Sequence, residues 1–145
     1  MDPSLLKLKM KDVSIFVDSG NNNPLTAGGG NNIYLYANTF GNGIGLSTSG
    51  EVFILSGYNT SDVAQSTFSS SIDLGYFSFA SSITGLTVGL STNTADISIT
   101  SNVSINGPIT MYGGTLSVAA DMTSTTTSGI GIRLTGTKIT PIGRH

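Results

Sequence analysis

Few side chains in this sequence can move a proton or attack a bond. The carboxylates are Asp2, Asp12, Asp18, Glu51, Asp62, Asp73, Asp96 and Asp121, and the single histidine, His145, is the last residue. No Ser-His or Cys-His pairing is therefore expected. The absence of cysteine removes disulfides and thiolate chemistry. One arrangement has the right ingredients for cleaving a polysaccharide. Asp96 and Asp121 fall about one coil apart in the winding argued below, and Arg133 follows. Turn-capping aspartates explain the same residues more simply, so no catalytic residue is assigned. The run Asp18-Ser19-Gly20-Asn21-Asn22-Asn23 is rich in oxygen but lacks the terminal bidentate acid of a calcium loop. It reads as an Asx turn, and neither a metal nor a cofactor is expected.

Binding chemistry has one better candidate. Tyr34 and Tyr36 alternate with Ile33, Leu35 and Ala37. If the aliphatic set points inward, both rings face outward, where aromatic surfaces can stack on sugars. A tyrosine ladder that only stabilises a sheet is the plainer reading of the same pair.

The elements that must carry these residues are strands. Val, Ile, Leu, Phe and Tyr recur in short alternating runs, while good helix formers are scarce. Strands are predicted at Leu5–Met10, Val13–Val17, Ile33–Ala37, Gly43–Ser47, Glu51–Leu55, Ile72–Phe79, Ile83–Leu90, Asp96–Thr100, Val103–Ile105, Ile109–Tyr112, Thr115–Ala119, Ile130–Leu134 and Lys138–Ile139. A helical turn is allowed only over 60–67, with Ser61 as its cap. About half the chain is Gly, Ser, Thr or Asn, and only 10% is charged, where soluble domains average about 25%.

Two rhythms point to an array. Ile97-Ser98-Ile99, Val103-Ser104-Ile105, Ile109-Thr110-Met111 and Leu116-Ser117-Val118 are three-residue alternations separated by Gly, Asn and Ser corners. Each is long enough for one side of a solenoid coil. At longer range, Gly43–Gly50 resembles Thr87–Thr94 and Gly129–Gly136. That spacing suggests a unit of roughly 43 residues, read as two coils of about 21 and about seven short coils in all. Stacked coils place like over like. Apolar ladders then fill the inside, hydroxyls and amides line the outside, and stacked like charges are avoided. The predicted class is all-β, a parallel β-helix over 31–145, with 1–30 as an N-terminal cap or flanking segment. An antiparallel β-sandwich is the alternative, because Asn106-Gly107 and Gly113-Gly114 bracket short strands as hairpin turns do.

The stretch Ile105-Asn106-Gly107-Pro108-Ile109-Thr110-Met111-Tyr112-Gly113-Gly114-Thr115-Leu116-Ser117-Val118-Ala119-Ala120, followed by Ser128-Gly129-Ile130-Gly131-Ile132, resembles the repeat region of filamentous-haemagglutinin-type bacterial adhesins. The resemblance runs from about Ile33 onward. It implies a right-handed parallel β-helix at the bacterial cell surface, acting as a rigid stalk or a surface-binding module. Residues 1–30 depart from that pattern and lack the export region such proteins carry at their start, so the chain is expected to be a fragment.

Partners follow from charge and shape. A net charge of −2, with one small cationic cluster at Lys7, Lys9 and Lys11, does not suit nucleic acid. No apolar run is long enough to span a membrane. A surface glycan or another host-surface ligand suits the exposed tyrosines. Open solenoid ends suit self-association. The runner-up function is a carbohydrate-active β-helix, a lyase, hydrolase or phage tailspike fragment. An ice-binding surface would need regular outward Thr-x-Thr rows, and Thr123–Thr127 is the only dense threonine run.

Overall fold

The computed structural model describes residues 6–9, 14–15, 25–59, 61, 63–126 and 129–141. The chain winds as a parallel β-solenoid, with three short strands in each winding. The first winding holds β1 (Leu6–Lys9), β2 (Ser14–Ile15) and β3 (Leu25–Thr26); the second holds β4 (Ile33–Tyr36), β5 (Thr39–Phe40) and β6 (Ile44–Ser47). The third comprises β7 (Glu51–Leu55), β8 (Ile72–Asp73) and β9 (Phe77–Phe79); the fourth comprises β10 (Gly85–Val88), β11 (Ile97–Ile99) and β12 (Val103–Ile105). The fifth carries β13 (Ile109–Tyr112), β14 (Thr115–Val118) and β15 (Met122–Ser124). β16 (Ile132–Thr135) and β17 (Lys138–Pro141) begin a sixth.

The first side is one continuous sheet in the order β1-β4-β7-β10-β13-β16. The second side is divided into β2-β5 and β8-β11-β14-β17, and the third into β3-β6-β9 and β12-β15. Every strand pair is parallel. The antiparallel sandwich is thereby excluded. Asn106-Gly107 and Gly113-Gly114 are corners between sides, not hairpin turns. β1–β3 fall within 1–30, the segment expected as a cap or flank, and pair in register with β4–β6.

Register explains the composition. On the first side one inward column runs Ile33, Val52, Leu86, Ile109, Ile132; its neighbour runs Leu35, Ile54, Val88, Met111, Leu134. On the second side Ile72, Ile97, Leu116 and Ile139 form another. From the second winding to the fifth, these columns are the hydrophobic core. Three-residue strands suffice because each apolar side chain is covered above and below by its own kind, at the roughly 4.8 Å strand spacing. Outward positions form polar columns such as Asp73, Ser98, Ser117 and Thr140.

The windings are fewer and less uniform than the sequence rhythm suggests. The described residues form five windings and part of a sixth, not about seven. Nineteen residues separate Ile33 from its partner Val52, but 34 separate Val52 from Leu86. The 43-residue likeness is not a structural repeat either. Ile44 lies on the third side over Phe77, whereas Thr87 and Arg133 lie on the first. Every side needs the same alternation of inward apolar and outward residues, so any two sides resemble each other. Corner length decides which strand meets which.

Local departures have local causes. The expected strand Ile72–Phe79 is broken by a 3-10 turn at Leu74–Tyr76, where the Asp73 carboxylate accepts from the Gly75 amide at 2.8 Å. The expected helical turn over 60–67 is replaced, in its described part, by an excursion with an antiparallel bridge between Tyr58 and Ala64. The Asn59 side-chain oxygen accepts from the amides of Ser61 and Val63 at 2.9 and 3.0 Å, which satisfies them without a helix. β3, β5 and β15 fall outside the expected strands; two or three residues of alternation carry little pattern.

Close approach, as well as positive φ, demands glycine at the corners. A Cβ on Gly107 would sit 1.9 Å from the Thr84 carbonyl oxygen of the winding below. Gly89, at φ +86°, meets both conditions. Among the described residues no helix is long and apolar enough to cross a membrane.

Candidate functional site

Tyr34 and Tyr36 stand on the outer face of β4, while Ile33, Leu35 and Ala37 are buried beneath them. Alternation alone places them so. What alternation could not show is their neighbour. Register sets Phe53 of β7 beside Tyr34, with ring centroids 4.7 Å apart and planes within 6° of parallel. Tyr34 and Tyr36 lie 6.3 Å apart on the same strand, also nearly parallel at 7°. Leu55 takes the place beside Tyr36 in the next winding and is buried.

This geometry decides what the surface offers. The Tyr34–Phe53 spacing matches the strand spacing, so those two rings stand like pages along the rod and cover each other's faces. Edges and hydroxyls face outward more than flat ring surface does. The Asn32 side-chain amide donates to the Tyr34 hydroxyl at 3.3 Å. Burial raises the Tyr36 phenol above its ordinary value near 10, and Tyr34 and then Tyr58 add to the shift. Tyr58, at the root of the excursion, thus belongs to the same patch. Phe53 and Tyr58 could be joined to Tyr34 and Tyr36 only with the 19-residue register in hand.

The carboxylates do other work. Asp96 opens the second side, where its side chain accepts from the Thr115 amide at 2.8 Å. Asp121 follows β14 at the far corner of that side, and its amide donates to the Asn102 side chain at 3.0 Å. Arg133 lies mid-strand on the first side, paired with Thr110. The three occupy different positions around the coil and share no face. Among the described residues no group of three or more His, Cys, Asp or Glu side chains is placed to hold a metal. His145 and the run Asp18–Asn23 lie outside the described residues.

A recurring polar device joins the windings. The side-chain oxygens of Asn32, Asn38, Asp96 and Asn102 each accept from the backbone amide 19 residues ahead, in Glu51, Gly57, Thr115 and Asp121. Asn93 is the most engaged. Its side-chain oxygen accepts from Thr67 Oγ1 at 2.7 Å, from Phe68 N at 3.1 Å and from Ala95 N at 3.1 Å. Its amide donates to the Tyr112 carbonyl at 2.7 Å. Among the described residues, no buried side-chain nitrogen or oxygen lacks a partner. Comparison of the chain with protein-family models, with curated proteins and with solved structures returned no match.

Proposed function

We propose that this chain is a non-catalytic structural and adhesive segment of an extracellular bacterial adhesin-like protein, a rigid stalk that can present a binding surface. The observation that carries the reading is the unbroken register of the first side, six strands deep, with its inward columns from β4 to β16 aliphatic apart from Met111. Such a stack resists bending, because on this side every strand is hydrogen-bonded to the next. The Ile105–Ala120 resemblance to haemagglutinin-type repeats supports the same reading. The separation of Asp96, Asp121 and Arg133 favours it over a polysaccharide lyase or hydrolase. The ligand surface in this reading is the outward rim at Tyr34 and Tyr36, suited to a surface glycan held through hydroxyls and ring edges.

Two measurements on the same panel of surface polysaccharides test it. No reducing ends or unsaturated products should accumulate, and any glycan retained by the chain should be lost on Tyr34→Ala. Turnover that disappears in Asp121→Asn would replace this reading with the enzymatic one.

A further inference from the structure

The outward column of the first side changes character partway along. It runs Tyr34, Phe53, Thr87, Thr110 and Arg133, each on the strand next to the last. Tyr34 covers one face of the Phe53 ring, with centroids 4.7 Å apart and planes within 6° of parallel. On the other face the next residue is Thr87, and the one beyond it is Thr110. The pile of rings therefore ends at Phe53. Threonine stands much lower above a sheet than phenylalanine. A step two strand spacings wide, roughly 10 Å, opens beside the uncovered ring face. The excursion leaves the rod after Leu55, at the opposite end of β7 from Glu51.

A carboxylate borders this step. Glu51 pairs with Gly85, the first residue of β10. A Cβ on Gly85 would lie 2.5 Å from Glu51 Oε1 and 2.9 Å from its Cγ. The Glu51 side chain is thus laid along the rod over bare backbone. Glycine in a strand packs nothing itself and marks a close approach; here the carboxylate is what approaches. Gly85 and Thr87 share the outer face about 7 Å apart, so the carboxylate flanks the floor of the step. The Glu51 amide is held by the Asn32 side-chain oxygen at 2.9 Å, but among the described residues the carboxylate itself has no hydrogen-bond or ion-pair partner.

A ring face, an ionised acceptor beside it and a hydroxyl beneath suit a sugar. A pyranose packs its face of C–H bonds on an aromatic ring. Hydroxyls at its edge donate to a carboxylate in charge-assisted bonds, and a threonine hydroxyl can donate or accept. Charge selects among sugars. No Lys or Arg falls between Lys11 and Arg133 in the sequence. Arg133 is three strands from Phe53, about 14 Å, while the Debye length at physiological salt is about 8 Å. A uronate or sulfated ring on Phe53 would meet Glu51 with no cation near enough to offset the repulsion.

We propose that the uncovered face of Phe53, the Glu51 carboxylate and the Thr87 hydroxyl form a subsite for one pyranose ring of a neutral glycan. This rests on the glycan-binding part of the function proposed above. It moves the centre of that surface from the tyrosine rim to the step beside Phe53, and it names the charge class of the ligand.

The probes are hexasaccharides of glucose, mannose, galactose and N-acetylglucosamine, with hexagalacturonate as the acidic counterpart, each titrated into the full chain by calorimetry. At least one neutral oligomer should bind, and hexagalacturonate should not. Glu51→Gln keeps the shape of the side chain and removes its charge; it should weaken that binding about tenfold. Phe53→Leu should weaken it too. Gly85→Ala is the most selective variant. Its Cβ displaces the far end of a flexible side chain, so the carboxylate moves off the step while the strand remains. It should weaken binding in the parent and add nothing to Glu51→Gln. Thermal melting reads folding separately, and should Phe53→Leu fold poorly, the Glu51 and Gly85 variants carry the test. Binding lost in Tyr34→Ala but unchanged in Glu51→Gln, Phe53→Leu and Gly85→Ala overturns this subsite and leaves the tyrosine rim as the ligand surface. Preference for hexagalacturonate overturns it as well. Failure of every oligomer to bind overturns it together with the glycan-binding reading on which it rests.

Discussion

Two windings of this rod are built from the same columns on very different lengths of chain. From Ile97 to Leu116 the chain returns to the same column after 19 residues, touching all three sides with little more than strands and corners. From Val52 to Leu86 it takes 34, because the segment after Leu55 leaves the rod before rejoining at Phe68, ahead of β8. Both windings nonetheless bury their inward side chains: Val52, Ile54, Ile97 and Ile99 are all at 0% exposure. Column occupancy is therefore what the fold requires, and perimeter is what it tolerates. The tight winding spends its polar side chains on its neighbours, through Asp96 to Thr115 and Asn102 to Asp121. The long one spends part of them on its own excursion, through Ser56 to Gln65 and Asn59 to Val63.

The two regions meet at Asn93. Its oxygen reaches back to Thr67 and Phe68, where the excursion rejoins the rod, and its amide reaches forward to Tyr112 in the tight winding. At 4% exposure it has no water to fall back on. Asn93→Ala leaves the Phe68 amide and the Tyr112 carbonyl without these partners. The expected loss is about 3 kcal/mol, at 1–3 kcal/mol for each buried group stripped of its partner. Chemical denaturation checks it. A loss below about 1 kcal/mol would mean that the two regions are not coupled through this residue.

Shortening the excursion probes the opposite claim. Removing 60–63 and joining Asn59 to Ala64 through a single glycine deletes no inward column residue. Loop-closure entropy changes slowly with length, so stability should move by no more than about 1 kcal/mol. Parallel pairing of β7 with β10 should survive, as read from amide exchange at Val52 and Ile54. Loss of that protection would make the excursion part of the fold rather than an insertion into it.

What the sequence made legible follows the same division. The limits of Glu51–Leu55, Val103–Ile105 and Ile109–Tyr112 were readable to the residue, because period-two alternation is a local property. The outward placement of Tyr34 and Tyr36 was readable for the same reason. Winding number and register were not. They depend on corner lengths that are set by contacts such as Asn93 to Tyr112, and nothing within a few residues of Asn93 announces them. The likeness of Gly43–Gly50 to Thr87–Thr94 misled for that reason. It compared two strands that are locally alike but sit on different sides. The stacking of Tyr34 on Phe53 was hidden behind the same missing register.

The smallest expected effect lies on the patch at the root of the excursion and tests whether Tyr36 is held by both regions. Its phenol is raised above the ordinary value near 10 by burial first, then by Tyr34 on its own strand and Tyr58 on the excursion. A raised phenol favours the neutral form in the folded state. Below pH 10 both states are protonated and the shift contributes nothing to the pH dependence. Between the ordinary value and the raised one the unfolded chain ionises first, so stability falls as pH climbs through that window. Tyr36→Phe removes this term. The melting temperature of the parent should therefore drop more steeply above pH 10 than that of the variant, while the two run parallel below it. Tyr58→Phe should recover part of the same difference, because the Tyr58 charge is the excursion's share of the shift. Parallel curves for parent and Tyr58→Phe above pH 10, with Tyr36→Phe still distinct, would place the whole effect on the rod and leave the excursion no part in it.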